Sequence, residues 1–168
     1  MFPEFKKERI PIARFVCRSR LRTFSALPTQ LIPYHQYTVN AVIGALLLGL
    51  QCRQRGQKGY HGATLAVDPE SRLTPWLIAT WLAMVVLGFR RAHALLSGFY
   101  NLMEIHIAHH TGAWEQAAGY FTCLHCQPQT RWGPVFQGLV NRYSLSCRLF
   151  LLGRPSQCRR QKADTIRP

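Results

Sequence analysis

Two histidines and two cysteines in the middle of the chain have spacings typical of metal ligands. His106 and His110 are four residues apart, which on a helix places both imidazoles on one face, and Cys123 and Cys126 form a Cys-x-x-Cys pair further along. Neutral imidazole and thiolate are the ligands that Zn²⁺ prefers in tetrahedral structural sites. Two interpretations stay open: a zinc site built from these four residues, or a polar helix end followed by a thiol-containing loop in a protein without a cofactor. The reversed order relative to a Cys₂His₂ finger favours the second.

Basic residues form the other group with a clear chemical role. The chain has 21 Lys and Arg against 7 Asp and Glu, a net charge of +14 at pH 7. This excess predicts attraction to a polyanion, with nucleic acid first and an anionic membrane surface second. The candidate phosphate-binding side chains lie in three stretches: Arg14, Arg18, Arg20 and Arg22, then Arg53, Arg55 and Lys58, and finally Arg159 and Arg160. Aromatic side chains near the first stretch could stack on bases or belong to a core: Phe15, Phe24, Tyr34 and Tyr37.

Acidic residues are too few for most catalytic arrangements. Paired carboxylates or a two-metal site need several acids that converge, and only Asp68, Glu70, Glu104 and Glu115 lie inside the body of the chain. The sequence also contains no phosphate-cradling glycine loop and no serine-nucleophile motif. We therefore predict that the protein is not an enzyme.

The thiols and the N-terminal segment bear on the compartment. The opening residues, MFPEFKKERIPIARF, are charged and contain no apolar run of signal-peptide length. We therefore expect the six cysteines to be reduced and the protein to be cytoplasmic.

The hydrophobic pattern predicts a mainly α protein that positions these groups on helices and loops. Thr38 is a suitable cap for an apolar helix that begins at Val39, and Thr74 followed by Pro75 predicts a second helix that ends near residue 89. Further helical patterns cover residues 92–106, 114–121 and 136–151, with Gly112 expected to stop the first of these. A short edge strand is expected near residues 10–16, and residues 51–62 have the composition of a polar linker.

The most specific local pattern covers residues 14–37, RFVCRSRLRTFSALPTQLIPYHQY. The matching positions are Cys17, the run 22–25, Leu27-Pro28, Ile32-Pro33-Tyr34 and Tyr37. In order and spacing they resemble the zinc-ribbon knuckle and connector of helix-turn-helix proteins associated with transposases of bacterial insertion sequences. Leu73-Thr74-Pro75 and Trp81 resemble the later helix of that group, so the resemblance covers about half of the chain, residues 9–89.

The resemblance implies a DNA-binding fold with a degenerate zinc ribbon. Arg20 and Leu21 stand where the family has its second knuckle cysteine and a glycine, so the four ligands of a zinc ribbon are incomplete. Between residues 76 and 89 only Thr80 is polar, which leaves a recognition helix there without a base-reading face. Together with the helical patterns and the basic composition of the last residues, the resemblance predicts four parts: a knuckle remnant and Pro-rich connector (1–37), a helix-turn-helix-like core (38–110), C-terminal helices with the Cys-x-x-Cys loop (111–152) and a disordered basic tail (153–168).

Three hypotheses about function follow from these observations. The first is a non-catalytic, basic DNA-binding module related to transposase accessory regions and possibly degenerate, which holds phosphates with its arginines. The second is a small membrane-associated protein that uses its two apolar helices, although each run is shorter than the roughly 20 residues of a membrane span. The third is a relic of an open reading frame without a selected function. The oligomeric state is left open.

Overall fold

The computed structural model of the protein describes residues 9–28, 30–32, 37–67, 73–98, 112–126, 132–147 and 149–152. Within these ranges the chain forms an antiparallel pair of strands followed by five helices, which confirms the predicted mainly α class. The strands are β1 (Ala13–Cys17) and β2 (Arg22–Ala26). The helices are α1 (Val39–Gln54), α2 (Gly59–Val67), α3 (Pro75–Ser97), α4 (Ala113–Cys123) and α5 (Trp132–Cys147). The tail predicted to be disordered, with Arg159 and Arg160, lies outside the described residues.

Threonine caps start the two long apolar helices where the sequence predicts them. The hydroxyl of Thr38 accepts a hydrogen bond from the backbone N–H of Ala41 at 3.2 Å, and that of Thr74 accepts one from Leu77 at 3.2 Å. Each bond satisfies an N–H that has no partner inside the helix. Pro75 occupies the first turn of α3, where its missing N–H costs nothing.

Helix α2 begins inside residues 51–62, the stretch expected to be a polar linker, of which α1 covers residues 51–54 and a non-helical connection covers only residues 55–58. Its glycines let it approach α1 closely, since a Cβ on Gly59 would collide with the side chain of Arg53 and one on Gly62 with Cys52. The expectation was wrong for residues 51–54 and 59–62, because glycine next to charged residues is typical of loops, whereas here Gly59 and Gly62 allow close helix packing. The close contact depends on residues from α1 that are not adjacent in sequence.

Helix α3 continues past its predicted end near residue 89 and includes the start of the helix predicted over residues 92–106. Phe89, Ala92 and Leu96 are buried at spacings of three and four, so the buried face runs on without a break. Arg90 and Arg91, which lie between the two predicted helices, are on the exposed side of α3. Gly112 caps the start of α4 in an extended conformation, and the rest of the helix that it was expected to stop falls on residues 99–111, which lie outside the described residues.

The core lies between the helices and also takes up the connector and the end of the described chain. Every residue of α1 from Val42 to Gly49 is buried, so this helix is enclosed by protein. Ile32 from the connector is 2% exposed. The ring of Phe89 lies 4.8 Å from that of Tyr120 and 6.0 Å from that of Phe136, centroid to centroid, so one side chain joins α3, α4 and α5.

Gly49 gives a direct test of this packing. It faces the indole of Trp114, and an added Cβ would overlap that ring and lie 3.2 Å from the carbonyl oxygen of Gly59. We expect Gly49→Ala to lower the free energy of unfolding by about 1–3 kcal/mol because the core is overpacked. Urea denaturation followed by circular dichroism measures the change.

Gly138 in α5 is the matched control, since no described atom lies within 4 Å of a Cβ added there. Gly138→Ala should be neutral or stabilise the protein by up to about 1 kcal/mol through helix propensity. Equal effects of the two substitutions would contradict the packing of α1 against α4.

Candidate nucleic-acid interface

The two strands form a hairpin whose faces carry different side chains. Residues 18–21 join β1 to β2, and the register pairs Ala13 with Ala26, Phe15 with Phe24 and Cys17 with Arg22. Because side chains alternate along a strand, these six residues share one face, which we call the aromatic face. The opposite face carries the other two pairs of the register, Arg14 with Ser25 and Val16 with Thr23.

Neither face of the hairpin is covered by the five described helices. All ten strand residues are exposed except Cys17, which is half-buried. The rings of Phe15 and Phe24 stack on each other at 5.4 Å with an interplanar angle of 21°, yet they remain 47% and 56% exposed. A two-stranded sheet normally gains its stability by burying one face against the protein. This hairpin buries neither face against the described helices, so its side chains are accessible to a ligand.

The hairpin concentrates positive charge. Arg14, Arg18, Arg20 and Arg22 are all exposed, and they bring four guanidinium groups onto fourteen residues of chain from 13 to 26. Glu115 is the one carboxylate side chain in the described part of the structure, and it pairs with Arg53 at 2.8 Å. Within the described ranges no carboxylate therefore neutralises the hairpin arginines.

The predicted second basic group, at the turn from α1 to α2, divides into two kinds of residue. Arg53 donates to Glu115, and its guanidinium carbon lies 5.9 Å from the ring centre of Trp114. These contacts tie the end of α1 to the start of α4, so Arg53 has a structural role, and phosphate binding by Arg53 stays a prediction. Arg55 and Lys58 are exposed on the turn itself.

Helix α3, for which the resemblance predicts the position of a recognition helix, offers few polar side chains to a base edge. Its one polar side chain before residue 90, Thr80, donates its hydroxyl to the carbonyl of Trp76 at 3.0 Å. The exposed residues in that stretch are apolar, Trp76 and Leu87 among them. By length and composition α3 is also the one described helix that could cross a membrane, and 44% of its apolar window is buried inside the protein.

The four residues predicted as a zinc site are only partly described. Cys123 ends α4, and Cys126 follows with its Sγ 3.6 Å from the carbonyl oxygen of Leu124. Burial raises the pKa of the Cys126 thiol to about 12. His106 and His110 lie outside the described residues, and no group of three or more metal-ligating side chains occurs among those described. Zinc binding stays a prediction.

Cys17 lies at the end of β1 on the aromatic face and has a distinctive environment. Its Sγ lies 3.2 Å from the hydroxyl of Ser19, and this hydrogen bond, followed by one from the backbone of Arg20, lowers the pKa of the Cys17 thiol. A lower pKa means that the reactive thiolate forms at lower pH. The sequence identifies Cys17 only as a position of the zinc-ribbon resemblance, and its lowered pKa was not predicted because the contact with Ser19 depends on the conformation of the turn.

We expect Cys17 to be alkylated with a pH midpoint below that of an ordinary cysteine. Ser19→Ala should move the midpoint to higher pH, since the thiolate loses its closest donor. Iodoacetamide labelling at several pH values, followed by peptide mass spectrometry, measures the midpoint for each cysteine. An unchanged midpoint in the serine variant would show that the hydrogen bond does not act on the thiol.

No protein-family model matches this chain, and no match is found among the curated proteins or among the solved structures. Any functional conclusion therefore rests on the geometry of the chain itself.

Proposed function

We propose that the protein is a non-catalytic nucleic-acid-binding module that uses its N-terminal hairpin to hold the phosphate backbone of DNA. The supporting observation is the hairpin itself: four exposed arginines on a ribbon that is open on both faces, with no carboxylate partner among the described residues. Arginine suits this role because its planar guanidinium donates two parallel hydrogen bonds to a phosphate.

The shape of the hairpin is compatible with duplex DNA. A two-stranded ribbon fits the major groove of B-DNA, which is about 12 Å wide. The arginines occupy both the turn and the strands, so they can reach phosphates on either side of a groove. Contacts of this kind carry affinity but little sequence information. We infer that binding depends weakly on sequence.

The resemblance to insertion-sequence proteins places the hairpin where that group has its zinc-ribbon knuckle. We assign the contacts with DNA to the hairpin, because α3 presents apolar residues where a recognition helix needs polar ones. The relationship itself remains a hypothesis, and DNA binding by the hairpin does not depend on it.

The test is binding of the full chain to a fluorescein-labelled random duplex, measured by anisotropy over a range of salt concentrations. We expect micromolar affinity at low salt and a steep negative slope of log K against log salt, because each neutralised phosphate contributes about −0.9 to the slope. No binding at low salt, despite the charge of +14, would overturn the proposal.

The thiols of the protein can show where the DNA lies. Cys17 is on the hairpin, whereas Cys147 is exposed at the end of α5. Bound duplex should slow alkylation of Cys17 and leave Cys147 unchanged. Protection of both thiols, or of neither, would place the DNA elsewhere on the protein.

Membrane association is the second candidate, and the length and apolar character of α3 favour it. The membrane hypothesis requires both apolar helices, α1 and α3, to lie in lipid, but α1 is enclosed by protein from Val42 to Gly49. Carbonate washing of membranes from expressing cells separates the two candidates. Retention of the protein in the pellet would support the membrane hypothesis, and its release would support the nucleic-acid proposal.

A further inference from the structure

We propose that the hairpin prefers single-stranded nucleic acid and that an unpaired base stacks on the ring pair of Phe15 and Phe24. This inference rests on the proposed function, because the arginines must first hold the backbone. It adds the class of nucleic acid and the two side chains that select it.

The ring pair is exposed without a folding reason. Among the described residues neither strand packs a face into the core, and the ring contact recorded there for Phe15 and Phe24 is the one with each other, while about half of each side chain faces water. Because the two rings cover one another, each keeps an outer surface on which a planar group can lie. Proteins that bind single strands combine such aromatic surfaces with a basic track along the backbone.

The neighbours of the ring pair leave room for a base and supply a cation for its phosphate. On the aromatic face the next pair in one direction is Ala13 with Ala26, whose methyl groups leave the rings open on that side. The next pair in the other direction is Cys17 with Arg22. Arg22 precedes Phe24 by two residues on β2, so both side chains lie on the aromatic face. Stacking surface and phosphate donor therefore lie side by side.

Duplex DNA cannot use the rings in this way. Its bases are stacked on each other, so a protein in a groove meets only base edges and the backbone. In a single strand each base has a free face, and stacking on an aromatic ring is sequence-tolerant. The rings should thus add affinity for single strands alone, whereas the arginines contribute to both.

The experiment compares four probes with the full-length protein: an oligothymidine strand, an oligouridine strand, an abasic deoxyribose-phosphate strand of equal length and a random duplex. We expect the two base-containing strands to bind on the order of tenfold more tightly than the abasic strand. Preference for oligouridine over oligothymidine would identify RNA as the ligand, and the reverse would identify DNA. Equal binding of the abasic and base-containing strands would overturn the inference.

Variants assign the preference to the ring pair. The double substitution Phe15→Leu and Phe24→Leu keeps apolar side chains across the hairpin and removes both rings. It should therefore abolish the tighter binding of base-containing strands over the abasic strand and leave the affinity for the duplex unchanged. Phe24→Trp keeps an aromatic ring and should still bind base-containing strands more tightly than the abasic strand. A bound base-containing strand should also quench the fluorescence of the new indole. Val16→Ala, on the opposite face, and Leu21→Ala, at the tip, are matched controls because both side chains are exposed and apolar.

The outcomes separate this inference from the proposed function. If the leucine variant still binds base-containing strands more tightly than the abasic strand, the ring pair does not stack bases and the inference fails. Salt-dependent binding by that variant would leave the proposed function intact. If Leu21→Ala alone weakens duplex binding, the tip inserts between base pairs and the ligand is duplex, which also overturns the inference. If the wild type binds none of the probes, the proposed function itself fails.

Discussion

Removal of the four hairpin arginines should remove most of the salt dependence of DNA binding. We expect the variant with alanine at positions 14, 18, 20 and 22 to show a log–log salt slope that is smaller in magnitude by about 3 to 4, since each lost phosphate contact contributes about 0.9. Between roughly 50 and 200 mM salt, this difference corresponds to a hundredfold smaller decline in affinity. Anisotropy titrations of wild type and variant on the same duplex measure it.

Lysine substitutions are the matched control for this variant. Lysine at the same four positions keeps every charge and loses the planar fork that donates two hydrogen bonds to one phosphate. The lysine variant should retain the salt slope and bind more weakly than the wild type at every salt concentration. The double substitution Arg55→Ala and Lys58→Ala removes charge from the α1–α2 turn and should reduce the slope by less than 2. An unchanged slope in the alanine variant would exclude the hairpin as the phosphate-binding element.

Local signals were sufficient to predict the starts of the long helices. Thr38 and Thr74 act through a hydroxyl that reaches an N–H three residues away, so all the interacting atoms lie within one turn of chain. The run of α1 is apolar almost all round, as is typical of a buried helix, and it is enclosed by protein from Val42 to Gly49. These features depend on neighbours in sequence and can be predicted from a single chain.

Features that depend on contacts across the fold were missed. Helix α2 packs through Gly59 and Gly62, and only the proximity of α1 distinguishes them from loop glycines. The second strand, β2, was not predicted because its residues alternate on two exposed faces and leave no hydrophobic period to detect. The continuation of α3 depends on Phe89, whose partners come from α4 and α5.

The candidate site shows the same division. Composition identified the basic residues, but it could not separate Arg53 from Arg55, since the partner of Arg53 is Glu115, 62 residues further along the chain. The four hairpin arginines are exposed and their phosphate binding stays a prediction, whereas their placement on one ribbon depends on the turn at residues 18–21. Of the four aromatics considered for stacking, Tyr37 packs edge-on against Trp81 at 4.8 Å, and Tyr34 lies outside the described residues.

Loss of the Phe89 ring should have the largest effect on stability. Phe89 is fully buried, and its ring contacts Tyr120 and Phe121 of α4 and Phe136 of α5. Phe89→Ala removes this shared contact and leaves a cavity among three helices, so we expect a loss of about 3–5 kcal/mol in the free energy of unfolding. Small domains have only about 5–15 kcal/mol in total, so the variant should be partly unfolded near body temperature. Urea denaturation monitored by circular dichroism measures the loss.

Phe24→Ala removes the same ring from the hairpin and provides the comparison. Because Phe24 is 56% exposed and packs only on Phe15 in the described structure, its loss should change global stability by no more than about 0.5 kcal/mol. A comparable loss in both variants would mean that the hairpin belongs to the cooperative core, and its exposed face could then no longer be attributed to ligand binding. A large loss at Phe89 with almost none at Phe24 would show that the hairpin side chains contribute little to folding, so changes in nucleic-acid affinity among the hairpin variants would report contacts with the ligand.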